Sequence, residues 1–290
     1  MKTNTAKLTL TLGAAVLASG ALVQAQGHYP AGVEGVKAAS LPPPGVYLRD
    51  YNYVYFADKF THGPQDFDLT AYVQGPRLIW ISDFKLLGGN YGADILVPFT
   101  YQNIKFNGYS GSHFGLADIF VEPLTLSWHT KQFDFAVGYG FWAPTGNYNA
   151  TEPVYPGKGY WTQMLTAGLT WYPDQQKTWS VSALNRYDFS SIQQDTGTRP
   201  GQVYSLEYGI AKALTPAFEL GVAGYYQKQT TFNSGPLAAP WRTGVAAIGP
   251  EITYAFPKIM LFTSLRYEYE FTATDRPQGN TINLTLTKKF

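Results

Sequence analysis

The stretch Lys258–Thr272, KIMLFTSLRYEYEFT, decides the fold. Its odd positions are Ile259, Leu261, Thr263, Leu265, Tyr267, Tyr269 and Phe271, whereas its even positions include Ser264, Arg266, Glu268 and Glu270. A period of two belongs to a pleated strand whose two faces meet different environments. Here one face is apolar and the other charged. The last segment repeats the pattern, with Ile282, Leu284 and Leu286 alternating against Thr281, Asn283, Thr285 and Thr287, and the chain ends on Phe290.

The same test applied backwards predicts twelve strands, at about 45–60, 67–86, 90–107, 113–129, 131–146, 159–173, 177–191, 201–213, 216–232, 242–256, 258–272 and 279–290. Tight turns are expected near 130, 174, 214 and 257, and longer loops at 147–158, 192–200, 233–241 and 273–278. Short turns at one end and long loops at the other mark an up-and-down transmembrane barrel. Many segments exceed the ten or so residues that a tilted membrane-crossing strand needs. Aromatics near segment ends, such as Trp161, Trp171, Tyr139, Phe141, Tyr254 and Phe256, suit the membrane interface. Strands in lipid must close on themselves, because an open edge would leave backbone groups unpaired. The fold class expected is therefore all-β, a transmembrane antiparallel up-and-down barrel of about twelve strands with an irregular N-terminal arm.

Composition agrees. The 290 residues are 45% hydrophobic and 16% aromatic but only 14% charged, against about 25% charged in soluble proteins. There is no cysteine, which removes disulfides and thiolate metal sites. The 21 basic and 20 acidic residues offer no basic field for nucleic acid.

At the start, Lys2 and Lys7 precede an apolar run from Leu8 to Val23, and Val23-Gln24-Ala25 supplies the small residues of a signal-peptidase site. Residues 1–25 read as a cleaved signal peptide, 26–44 as an irregular arm rich in Gly, Pro and Ala, and 45–290 as the barrel. The arm is either an obstruction in the lumen or a periplasmic tail.

If the apolar parity faces lipid, the opposite parity faces the lumen. That assigns Asp134, Arg186, Asp188, Glu207, Glu219, Glu251, Arg266, Glu268 and Glu270 inward, with Gln227 beside them. In Gly115–Pro123, Asp118 and Glu122 fall on one strand face four residues apart, which suits a cation or acid/base work, or plain inward charge at an irregularity marked by Pro123. Twelve strands lie between barrels filled by side chains and open porins, so a narrow lumen is expected.

Catalytic chemistry is poorly represented. The histidines are His28, His62, His113 and His129, with no zinc-protease, nucleophile-elbow, P-loop or dinucleotide pattern around them. Ser112 and His113 are adjacent and so point to opposite faces of a strand. Ser127 and His129 share a face but lack a visible third member. No enzyme activity, cofactor or metal site is expected.

His28-Tyr29-Pro30-Ala31-Gly32-Val33-Glu34-Gly35, then Leu41-Pro42-Pro43-Pro44-Gly45-Val46-Tyr47 and Tyr51-Asn52-Tyr53-Val54-Tyr55, resemble the proteobacterial outer-membrane family named for the meta-pathway of phenol degradation. The Gly115–Pro123 block, the Ala143-Pro144-Thr145-Gly146 turn and the final strand are similar to that family as well. The resemblance implies an outer-membrane barrel associated with uptake of aromatic or other hydrophobic compounds, and leaves the solute open. The ending Ile282, Leu284, Leu286, Phe290 resembles the signal read by the barrel-assembly machinery, although Lys288 occupies a position that is usually apolar. The partners expected are outer-membrane lipid, that machinery and a small hydrophobic or aromatic solute. The function expected is a passive channel; a non-transporting structural or partner-binding barrel is the alternative, and a lipid-acting enzyme a third.

Overall fold

The computed structural model describes residues 27–290, so the expected signal peptide lies outside the described residues. The barrel begins with β1 (Gly45–Phe60) and β2 (Asp68–Leu86), followed by β3 (Gly89–Leu96), β4 (Phe99–Phe106), β5 (Tyr109–Leu116) and β6 (Ile119–His129). It continues through β7 (Phe133–Ala143), β8 (Thr162–Trp171), β9 (Trp179–Ser190), β10 (Val203–Ala213) and β11 (Phe218–Gln229). It finishes with β12 (Gly244–Phe256), β13 (Leu261–Thr274) and β14 (Pro277–Lys289). All ladders are antiparallel. The order runs β1-β14-β13-β12-β11-β10-β9-β8-β7-β6-β3-β2, and β1 also pairs with β2, which closes a ring of twelve strands.

β4 and β5 are additional. They form a hairpin that continues the wall above β3 and β6, with β4 paired to residues 68–74 of β2. Two expected strands are thus each divided in two, 90–107 at Val97-Pro98 and 113–129 at Ala117-Asp118. At the first break stands a proline, which cannot donate to a ladder. Pro98 offers only its carbonyl, which accepts the Ala117 N–H at 2.8 Å, and the Pro76 carbonyl accepts the Val97 N–H at 3.1 Å.

The expected alternation of faces holds. Leu265, Tyr267, Tyr269 and Phe271 are exposed on the outer wall, whereas Arg266, Glu268 and Glu270 are buried. Between the strand ends the outer wall carries aliphatic neighbours, as Val181, Ile210 and Val222 on β9, β10 and β11. Rings such as Phe218 and Tyr226 lie towards the two ends. Mid-height apolar area with interfacial rings is the arrangement that a bilayer rewards.

Turns at the end holding Phe290 are short, at 87–88, 130–132, 172–178, 214–217 and 257–260. In one of them the Asp174 carboxylate accepts the N–H groups of Thr178 and Trp179, both at 2.8 Å, and fixes the entry to β9. Loops at the opposite end are long, the longest spanning 144–161. The segment 273–278, expected as a longer loop, is instead a two-residue turn, Asp275-Arg276. Asp275 adopts φ +51°, and Arg276 turns inward, where its guanidinium lies 3.5 Å from Glu270.

Candidate functional site: an arm and a cavity inside the barrel

Residues 27–44 contain no helix or strand, and within them only Pro43 is exposed. They run the height of the lumen. At the long-loop end, His28 meets Thr162 at the start of β8; at the short-turn end, the Ser40 hydroxyl lies 3.1 Å from that of Tyr172, just past β8.

The centre of the arm is held by charge. Glu34 accepts from Arg49 of β1 at 2.8 Å, Arg77 of β2 at 3.1 Å, Arg186 of β9 at 3.2 Å and the Tyr51 hydroxyl at 3.1 Å. The arm's backbone is equally engaged. Glu207 accepts the Glu34 N–H at 2.9 Å, Glu251 accepts the Val36 N–H at 2.8 Å, and Gln227 donates to the Tyr29 carbonyl at 3.0 Å. A chain without regular structure carries unpaired backbone groups that must be satisfied when buried. The inward side chains of the wall do this. Close approach also demands glycine at position 35, because φ is +75° and a Cβ there would collide with Arg266 and Glu251.

At its upper end the arm is clasped to the wall. His28 Nε2 lies 2.7 Å from an Asp118 carboxylate oxygen, and Nδ1 lies 2.8 Å from the Thr162 hydroxyl. The ring stacks on Trp142 at 5.5 Å and meets the edge of Tyr160 at 4.8 Å. Burial pushes the imidazole down to about 4 despite the opposing pull of Asp118, so near neutral pH Nε2–H donates and Nδ1 accepts. Asp118 also accepts the N–H of Gly146 at 2.9 Å and that of Lys158 at 2.8 Å. One carboxylate therefore joins the arm, the break between β5 and β6, and the 144–161 loop.

Of the residues singled out in the sequence, Asp118, Glu122, Asp134, Arg186, Asp188, Glu207, Glu219, Glu251, Arg266, Glu268 and Glu270 are all buried. The structure does not bring Asp118 and Glu122 together. The break at Ala117-Asp118 removes Asp118 from the strand and gives it to His28, whereas Glu122 takes a hydrogen bond from Arg77 at 2.7 Å. Arg77 holds Asp94 through two further bonds, at 2.7 and 2.8 Å. Arg266 lies 3.1 Å from Glu251 and 3.4 Å from Glu268. Glu219 pairs with Lys37 of the arm. Asp134 accepts from Tyr172 at 2.7 Å and faces His129 at 3.0 Å. The Ser127 hydroxyl has no hydrogen-bond partner among the described residues, so the Ser127–His129 pair does not form a nucleophile and base. Asp188 is likewise buried with neither oxygen partnered among them.

Sequence reading missed Glu34, His28, Arg49, Arg77, Asp94 and Arg276. Strand parity held the signal for Arg77 and Asp94, since exposed Leu78, Trp80 and Ile95 flank them on the outer face. Nothing comparable existed for Glu34 and His28, because the arm has no period to place them.

Between the upper arm, the inner faces of β1, β2 and β4, and the 144–161 loop lies a cavity of about 260 Å³. Its rings include Tyr51, Tyr53, Phe120, Trp142 and Tyr160, and Arg77 and Arg186 are among its polar lining. A dry apolar cavity of about 150 Å³ holds benzene, so this one has room for a substituted ring.

A family model described as the MetA-pathway of phenol degradation matches residues 52–286. The chain belongs to this family. Among solved structures it is similar to an outer membrane channel from Pseudomonas putida F1, with TM-score 0.77, 18% identity, and coverage of 87% of this chain and 97% of that chain. It is also similar to the translocator domain of the autotransporter NalP from Neisseria meningitidis, with TM-score 0.54, 11% identity, and coverage of 99% of this chain and 97% of that chain. At such identities the likeness is one of fold. No curated protein matches significantly. A member of the phenol-degradation family thus has the closed barrel expected from its strand pattern, with the arm inside it.

Proposed function

We propose that this family member is an outer-membrane channel for passive uptake of small hydrophobic or aromatic compounds, and that residues 27–44 are its plug. The observation that carries the reading is the ring-lined cavity of about 260 Å³ inside the barrel. Its walls supply faces and edges for stacking an aromatic solute, and its arginines a donor for a phenolic oxygen. The similar channel of Pseudomonas putida supports it by fold. The inward charges act on the plug. Glu207, Glu251, Arg186 and Arg266 hold the arm directly, the last by donating to the Gly32 carbonyl. The plug in place describes a resting barrel, and its displacement an open one. Export through a cleaved signal peptide and assembly through the strand ending at Phe290 belong to the same reading.

Liposome swelling with phenolic solutes tests it. Vesicles holding the protein swell faster than empty ones, and Glu34→Ala, which loosens the plug, swells faster still. Equal rates for protein-containing and empty vesicles would instead favour a structural barrel.

A further inference from the structure

The barrel wall is incomplete at one place. β5 pairs with β4 along one edge, and among the described residues no strand pairs with its other edge. The β6–β7 ladder ends at Ile119 opposite Ala143, and β8 begins only at Thr162. The intervening wall is the 144–161 loop. Among the described residues one backbone hydrogen bond joins this loop to β5, from Asn147 N–H to the Leu116 carbonyl at 3.2 Å. Higher up the contact is between side chains, with the His113 ring 4.2 Å from that of Tyr155 and the Tyr109 hydroxyl 3.3 Å from Glu152.

Both sides of this seam suit an apolar traveller. Tyr148, Tyr155 and Pro156 of the loop line the cavity from within. Outside, Phe114 is 69% exposed on one flank and Trp161 46% on the other, as rings at a membrane interface are. A solute at the cavity's edge is therefore separated from the lipid by loop side chains and not by a hydrogen-bonded ladder. Moving a loop costs far less than parting strands, whose unpaired groups would face hydrocarbon.

We infer that the cavity exchanges small aromatic solutes sideways, through the seam between β5 and the 144–161 loop, with the outer leaflet. The route rests on the channel reading above and adds a lateral portal to it. A hydrophobic solute gains by this path, because it stays in apolar surroundings and avoids the charged centre around Glu34.

The chain has no cysteine, so the seam can be locked specifically. A Cβ at Gly115 would lie 4.0 Å from that of Pro156, within the span of a disulfide. Full-length protein carrying Gly115→Cys and Pro156→Cys is placed in the outer membrane of cells, and partitioning of N-phenyl-1-naphthylamine is followed by fluorescence. In the oxidised form the dye rate falls to that of cells without the barrel, and reduction restores it. Equal rates in both forms would overturn the portal while leaving an axial channel intact. As a second measurement, Tyr155→Ala removes the ring clasp and raises the dye rate; an unchanged rate would also overturn the portal. If the unaltered protein gives no more dye uptake than cells lacking it, the channel reading itself fails.

Discussion

The two sides of the barrel are built differently. From β8 through β12 each ladder runs without a register shift. Each of the ladders β2–β3, β3–β6 and β6–β7 contains one, and this side carries prolines at 76 and 123 within strands and at 98 between two of them. The regular side presents mostly inward charge that grips the arm. The irregular side presents the rings, the cavity and the loop. A ladder with every amide paired is stiff and offers no passage, whereas a wall broken by proline must be completed by other contacts, and those can be reorganised. Rigidity and permeation are thus assigned to opposite walls.

The strongest way to break this division is to remove the group that ties the sides together. Glu34 bonds Arg77 on the irregular side and Arg186 on the regular one. Glu34→Ala strands their charges in the lumen, and losing one partner of a buried pair costs about 3–5 kcal/mol. The barrel is expected to assemble, with its arm open to protease and its conductance raised.

Acid acts at the other end of the arm. His28 is held at about 4 in the seated arm, against an ordinary 6.5. The released histidine therefore binds its proton first, and seating is fully stable above pH 6.5 and weakens as pH falls towards 4. The shift corresponds to at most about 3 kcal/mol. Conductance should rise over that interval, and His28→Phe, which keeps a ring against Trp142, should flatten the dependence.

Smaller effects compare the outer faces. Val222 lies at mid-height on the regular side, where an arginine facing lipid costs about 2–4 kcal/mol. Phe114 flanks the seam near the interface, where the cost is about 0–1 kcal/mol. Val222→Arg should lower the fraction of heat-modifiable folded barrel on electrophoresis, and Phe114→Arg should leave it nearly unchanged.

Much of this was legible in the residues. The alternation in KIMLFTSLRYEYEFT told which face points outward, and the same parity sent Glu207, Glu251 and Arg266 inward. Parity works because a strand's side chains must alternate, whatever else the fold does. It could not pair Asp118 with Glu122 correctly, because the break at Ala117-Asp118 ended the strand on which the count depended. The loop expected at 273–278 failed for a related reason, since Gly and Pro signal an interruption without stating its length.

The sequence by itself determined a closed twelve-stranded barrel, its inside and its outside, because a period of two in lipid admits no other solution. Only the tertiary structure decided that the arm lies within the lumen, that Glu34 meets three arginines, and that β5 has a free edge. Those features join residues far apart in the chain, 152 positions for Glu34 and Arg186 and 215 for Val36 and Glu251. Contacts at such separation depend on how the ring closes around an aperiodic segment, and no local pattern records them.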